Sequence, residues 1–426
     1  MEAKPLSSDD LGFTLPPSNG HTSHKRRIAS WPFLLITGCV LLLFKTYLSS
    51  SREHDWPIPP NVQIDRCAEL NHNPSNNAQD PAPYSIPATF TLPLSSKALF
   101  CISRGSLSNG VINIVQSHKG AGSENVVVDV DVNYWEEPLL DNLKVCQVTR
   151  EDGGVGVGIF SDWAGRPGSR QVEFEVTITL PRVPNDAMLY IDYFETDMPS
   201  FEHWIGELGD TVYFRSIVLG TEYRGVDVAS LNGGNVEIKN SHSPIQGVIN
   251  ASSALSLITS NALINVFLGL SSSSSSDEAT RLEMKTSNAE ITASISLTTT
   301  SNSPGGNYSI LTQTSFAKLT LTFPSSPLDS SLSLNARTSL ASIDVSLHPT
   351  YEGTFTLDAS LTPFGAKVFV DEDVRDPAGE GRKRKVEVRR GNGGGRVEGS
   401  VGWGDGEEGR GNVKLETVLG SANLRL

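Results

Sequence analysis

The chain has 426 residues, more than one ordinary domain, with 38% hydrophobic and only 19% charged residues. Few charges with much Gly, Ser, Thr and Asn exclude a helical bundle and a highly charged disordered chain, and suit an all-β protein rich in turns. A formal net charge of −14 excludes nucleic acid as a partner, because phosphate binding needs a basic surface.

Residues 1–27 are rich in Ser, Pro and Gly and close with His24-Lys25-Arg26-Arg27, which predicts a disordered cytosolic tail ending in a basic anchor. Residues 28–48, opening on Ile28 and closing on Leu48, are almost continuously apolar. At helical rise they span about 30 Å, enough for a transmembrane helix. Trp31 and Tyr47 sit near its ends as interfacial aromatics do, and Lys45 can snorkel. The basic residues before the span place the N-terminus in the cytosol and everything after Leu48 outside it or in a lumen. The expected protein is thus single-pass and type II, at the cell surface or in the secretory pathway. The long basic region before the apolar run speaks for an uncleaved signal-anchor over a cleaved signal peptide.

Residues 49–83 carry Trp56-Pro57-Ile58-Pro59-Pro60 and Pro81-Ala82-Pro83, a density that predicts an extended spacer without regular structure. Cys39 lies in the apolar span, so Cys67, Cys101 and Cys146 remain for the folded part. Three cysteines allow one bridge and one free thiol, and the pairing stays open.

From 84 to 225 the signals are strands. Val128, Val130 and Val132 alternate with Asp129, Asp131 and Asn133, and Val172, Phe174, Val176 and Ile178 form a second run. Such alternation predicts sheets with one wet face, read here as a β-sandwich-like domain.

From 226 to 426 a short unit recurs. Corner quartets Thr259-Ser260-Asn261-Ala262, Thr286-Ser287-Asn288-Ala289, Thr314-Ser315-Phe316-Ala317 and Thr338-Ser339-Leu340-Ala341 are each followed by an apolar alternation such as Ile291/Ala293/Ile295. Starts near Val236, Leu255, Leu282, Tyr308, Leu332, Phe355, Val386 and Val413 recur at the spacing of coiled repeats. One unit cannot offset its own backbone entropy, but stacked neighbours can, so the pattern predicts a β-solenoid. The alternative is one large antiparallel β-sandwich of hairpins. Insertions map to loops at Ser271 to Ser276 and at the Gly/Arg/Glu-rich stretch from Asp371 to Gly411.

The repeated strand, corner quartet and strand resemble the putative-adhesin family of unknown function, found in bacteria and in fungal membrane-anchored proteins. The resemblance covers about 226–426, with Ala262, Ala289, Ala317 and Ala341 where that family has glycine. It implies a surface or envelope β-solenoid and transfers no catalytic residue.

Asn250-Ala251-Ser252 and Asn307-Tyr308-Ser309 are glycosylation sequons on the side expected to be luminal. Asp129, Asp131 and Asn133 share a strand face but lack the turn of a Ca²⁺ loop, so a solvated face is the better reading and no metal is expected. Arg382-Lys383-Arg384-Lys385 has the character of a processing site or an anion-binding run, with a solvated loop as the default. There is no Gly-x-Ser-x-Gly, His-Glu-x-x-His, phosphate-binding glycine loop or Cys-x-x-Cys, so neither catalytic residue nor cofactor is assigned. His203, between Glu202 and Trp204, is the most site-like histidine. The expected function is non-enzymatic binding or structure, adhesin-like, towards a surface or cell-wall glycan or a protein. The alternative is a polysaccharide lyase or hydrolase using acids such as Glu283 and Asp344.

Overall fold

The structure, a computed structural model, describes residues 56–71, 83–162, 172–272, 278–300, 305–362, 365–391, 395–404 and 410–426. Among these residues no helix is long and apolar enough to cross a membrane, and the span expected at 28–48 lies outside them. The described chain belongs to the unit Trp56–Leu426. It is nearly all strand, with two short 3₁₀ turns at Glu137–Asn142 and Pro184–Asp186.

The strands follow the period-two patterns. The first group is β1 (Val62–Cys67), β2 (Tyr84–Pro93), β3 (Leu99–Arg104), β4 (Gly110–Ala121), β5 (Asn125–Tyr134), β6 (Leu143–Arg150), β7 (Val155–Ser161) and β8 (Glu173–Arg182). The central group begins with β9 (Leu189–Asp197), β10 (Phe201–Glu207), β11 (Val212–Gly220), β12 (Val226–Lys239), β13 (Ile245–Ile258) and β14 (Ile264–Ser272). It continues with β15 (Thr280–Lys285), β16 (Ile291–Thr299), β17 (Asn307–Gln313), β18 (Leu319–Ser325), β19 (Ser331–Arg337) and β20 (Ile343–Ser346). The last group is β21 (Gly353–Ala359), β22 (Ala366–Phe369), β23 (Arg384–Arg390), β24 (Arg396–Trp403), β25 (Gly411–Thr417) and β26 (Ala422–Arg425).

Their pairing resolves into two ladders. In ladder one, β8, β4, β10, β12, β13, β14, β16, β18, β20, β26 and β22 run parallel in that spatial order. In ladder two the parallel order is β7, β3, β9, β11, β12, β13, β15, β17, β19, β25, β21. The 14-residue strands β12 and β13 belong to both ladders. The first half of β12 pairs with β10 and its second half with β11, which joins everything into one large sheet. Inward side chains of both ladders meet in a single core, including Ile112, Phe174, Leu257, Ile291 and Leu415.

The corner quartets are the turns leading from ladder two to ladder one. Each corner threonine is buried, and its hydroxyl donates to a carbonyl of the neighbouring coil: Thr286 to Ala262 at 3.2 Å, Thr314 to Ala289 at 3.1 Å, Thr338 to Ala317 at 3.3 Å, Thr417 to Ala341 at 2.9 Å. The backbone repeats the linkage, as Ser287 N–H donates to Ser260 and Ser315 N–H to Ser287. A column of threonines thereby satisfies the buried polar groups that a tight corner would leave unpaired.

Four features differ from the expectations. The region 84–225 is not a separate sandwich: β3, β4 and β8–β11 continue the parallel ladders, and strands on both sides of residues 225/226 pair directly. One-sided parallel and antiparallel strands alternate alike, so the pattern does not reveal the partner. The antiparallel alternative for 226–426 fails, since among the described residues there only the β21–β24 and β24–β23 pairs are antiparallel. The spacer contains β1, held on β6 by long-range pairing despite its proline-rich surroundings. Part of the loop from Asp371 to Gly411 folds as the hairpin β23–β24, where alternating Val386, Val388, Val397 and Val401 give a strand period within a polar composition.

Chain order and spatial order also part company at both ends. Coil β3/β4 lies inside β7/β8, and the last coil, β25/β26, lies between β19/β20 and β21/β22. Ladder two then ends on β23, whose sequence RKVEVRR is largely exposed. A charged terminal strand discourages further strand addition.

Candidate functional site

Alternation along β10 separates the trio that stands out in the sequence. Phe201, His203 and Ile205 point into the core, while Glu202 and Trp204 point outward. His203 is fully buried, with Nδ1 3.1 Å from the Phe201 carbonyl and Nε2 2.9 Å from the Thr196 hydroxyl. A carbonyl only accepts, so Nδ1 carries the proton and the Thr196 hydroxyl donates to Nε2. Burial lowers the imidazole pKa to about 4, so the ring is neutral at physiological pH and serves the core. The site belongs to its neighbours.

The outer face of ladder one carries an open cleft around Trp204, whose indole is 45% exposed. Register alone assembles it. On adjacent strands Asn113 of β4, Trp204 of β10, Asp227 of β12 and Gln246 of β13 stand in one row. Glu175 of β8, Val111 of β4 and Glu202 of β10 form the next row. On one side of Trp204 a hollow of about 500 Å³ is lined by Asn113, Glu173, Glu175, Glu202 and Arg224. On the other, one of about 310 Å³ is lined by Glu202, Tyr223, Arg224, Asp227 and Gln246. Gly110 lets β4 lie flat here, because a Cβ would stand 1.8 Å from the Phe174 carbonyl oxygen.

Tyr223 and Arg224 reach the cleft from the corner before β12, where the Tyr223 ring stacks on His242 at 5.4 Å. Gln246 Nε2 donates to Asp227 Oδ2 at 2.7 Å and orients that carboxylate. Among the described residues, the side chains of Glu175, Glu202, Trp204 and Arg224 make no hydrogen bond or ion pair. The backbone beneath is spent, since β4, β10 and β12 each have partners on both sides. A ligand here meets side chains only: the exposed Trp204 ring, with Tyr223 beside it, ringed by hydrogen-bonding groups. Alternation points to Glu202 and Trp204 as a surface pair. Asn113, Glu175, Asp227 and Gln246 carry no local signal, because they join the cleft through pairings between strands far apart in sequence.

The other residues singled out in the sequence fall elsewhere. Cys67 and Cys146 form the disulfide, tying β1 to β6, while Cys101 is a buried free thiol whose pKa burial pushes up to about 12. Asn250 lies half-buried in mid-β13, over Gly269 of β14, and Ser252 of the same sequon shares a 2.8 Å hydrogen bond with Tyr213. Asn307 opens β17 and is half-buried. Asp129 accepts from the Thr89 hydroxyl at 2.7 Å, and Asp131 and Asn133 continue that outer row. Among the described residues no group of three His, Cys, Asp or Glu side chains could hold a metal.

Glu283 lies on β15 in ladder two, ion-paired with Lys285. Asp344 lies on β20 in ladder one, bonded to Lys318 and Asn423. Both point outward from different ladders, so they do not converge on one bond. In the basic run, Arg382 is pinned by Asp376 at 2.9 Å, and Arg384 starts β23 and lies over the Trp403 ring. Lys383 and Lys385 stay exposed, as a solvated run would be, while Arg384 and Lys385 lie in β23 instead of the loop expected.

No protein-family model and no curated protein matches the chain. Among solved structures it is similar to a "putative cell adhesion protein" from Clostridium sporogenes, at 10% identity over 80% of this chain and 99% of that one, with a TM-score of 0.16. It is also similar to a "putative lipid binding protein" from Parabacteroides distasonis, at 12% identity over 79% of this chain and 96% of that one, with a TM-score of 0.24. At such TM-scores neither likeness bears on function.

Proposed function

We propose that this chain is a non-enzymatic, adhesin-like β-solenoid binding protein that takes a glycan in the Trp204 cleft. It is held at a membrane by residues 28–48, with the folded unit on the extracellular or luminal side. The observation that carries the binding role is the exposed indole amid unspent Glu175, Glu202 and Arg224 side chains, over a floor whose backbone is fully paired. A pyranose ring presents polarised C–H groups to the negative face of an indole and hydroxyls to the polar rim. A peptide would forgo the main-chain pairing that gives extended segments much of their affinity.

The alternative, a polysaccharide lyase or hydrolase, needs carboxyl groups on either side of one glycosidic bond, and the separation of Glu283 from Asp344 speaks against that pair. The test is retention of the full chain on immobilised cell-wall and surface polysaccharides, with Trp204→Ala as the paired variant. Retention that W204A abolishes, with no reducing ends released, supports the proposal. Release of reducing ends, or retention indifferent to W204A, defeats it. For the topology, a C-terminal tag digested from the cytosolic side of sealed membranes would defeat the placement.

A further inference from the structure

The cleft has a sign as well as a shape. Glu173, Glu175, Glu202 and Asp227 surround Trp204, and Arg224 is the one basic residue among its lining side chains. Resting on the reading of the cleft as a glycan site, we propose that its ligand is a cationic glycan, a chain of hexosamine units with free, protonated amino groups.

Three observations converge on this class. The rim repels uronates, sulfated sugars and sialic acids, since like charges brought together without compensation cost binding. Glu175 and Glu202 lie in one row two strands apart, roughly 10 Å by the strand spacing, and flank Val111 at the cleft floor. Both are free to accept charge-assisted hydrogen bonds from ammonium groups, the stronger kind of hydrogen bond. The Trp204 face itself attracts a cation and the C–H face of the sugar that carries it. Asp227, already oriented by Gln246, offers a further acceptor on the opposite side of the indole. Arg224 is placed to donate to ring or hydroxyl oxygens at the border of the two hollows. An unbranched chain lying along the row from Asn113 to Gln246 would therefore meet aromatic and acidic groups in turn.

The experiment is isothermal titration of the full chain with hexaglucosamine, its fully N-acetylated counterpart, hexagalacturonate and hexalysine. It is run on the native protein, Trp204→Ala and Glu202→Gln, with thermal melting to verify folding. Both variants change outward side chains and are expected to melt as the native protein does. Hexaglucosamine should bind at least tenfold more tightly than the acetylated hexamer, weaken with salt, and lose tenfold or more in W204A and in E202Q. Equal binding of the acetylated hexamer, unmoved by E202Q, overturns the charge assignment and leaves the cleft a neutral glycan site. Hexalysine binding as tightly as hexaglucosamine overturns the sugar class. Absence of any W204A-sensitive saccharide binding overturns the glycan site together with this inference.

Discussion

At the scale of single residues, the corner threonines and His203 persist inside this stack because each has a dedicated partner. The corner threonines bond across coils, and His203 bonds at both ring nitrogens. His203 has a consequence for acid stability. Its folded pKa, about 4, lies below the ordinary 6.5, so between these values the unfolded chain binds a proton that the folded one does not. Its contribution is complete above pH 6.5, is lost as pH falls towards 4, and changes no further below that. The loss amounts to something on the order of 3 kcal/mol. Urea unfolding of the native protein and His203→Gln across pH 7 to 4 checks this: the native curve should fall more steeply than the variant's. Parallel curves would show that the histidine does not titrate as its burial requires.

At the scale of elements, β1 is an edge strand with one buried residue, Val62, and among the described residues it pairs only with β6. Its attachment therefore leans on the Cys67–Cys146 bridge, which closes 79 residues of chain. Replacing both cysteines with serine is expected to cost roughly 2–4 kcal/mol. Hydrogen exchange should locate the damage: protection lost across Val62–Cys67 and kept in β9–β20. Uniform loss would mean that the bridge supports the whole stack. The basic run behaves differently. Arg382 is tied to Asp376, whose carboxyl the guanidinium holds well below the usual range, and Arg384 is paired into the β23–β24 hairpin. A protease must draw its substrate out as an extended strand, so limited trypsin digestion should spare 382–385 in the native protein. Asp376→Asn should expose it, and cleavage at equal rates in both proteins would contradict the pinned geometry.

At the scale of the whole molecule, the last coil is an internal layer. Removing a terminal coil from a simple stack shortens it, but removing β25/β26 empties a slot between β19/β20 and β21/β22. The slot loses Val413, Leu415, Leu424 and Leu426, each worth about 1.5–3 kcal/mol when buried. That sum is comparable with the entire stability of a typical domain. Truncation after residue 410 is therefore expected to abolish exchange protection in β19–β24, not merely at the new end. Protection retained through β21 in the truncated chain would refute the interleaved order.

What the sequence by itself determined is whatever depends on near neighbours. The period-two alternation marks inward and outward residues, so Glu202 and Trp204 share a face opposite His203, and the recurring Thr-Ser-x-Ala quartets mark the corners. These are legible because strand pleating and tight turns are local properties of the backbone. Only the tertiary structure decided which strand lies beside which. Interleaving at both ends, β1 within the proline-rich stretch, the choice of Cys146 as partner of Cys67, and the meeting of Glu175, Asn113, Trp204 and Asp227 all rest on hydrogen-bond register between distant segments. Every outward-alternating strand offers much the same edge, and the collective burial of the core selects among them. The cleft is a product of that selection, so its aromatic centre can be read from one strand while its acidic rim cannot.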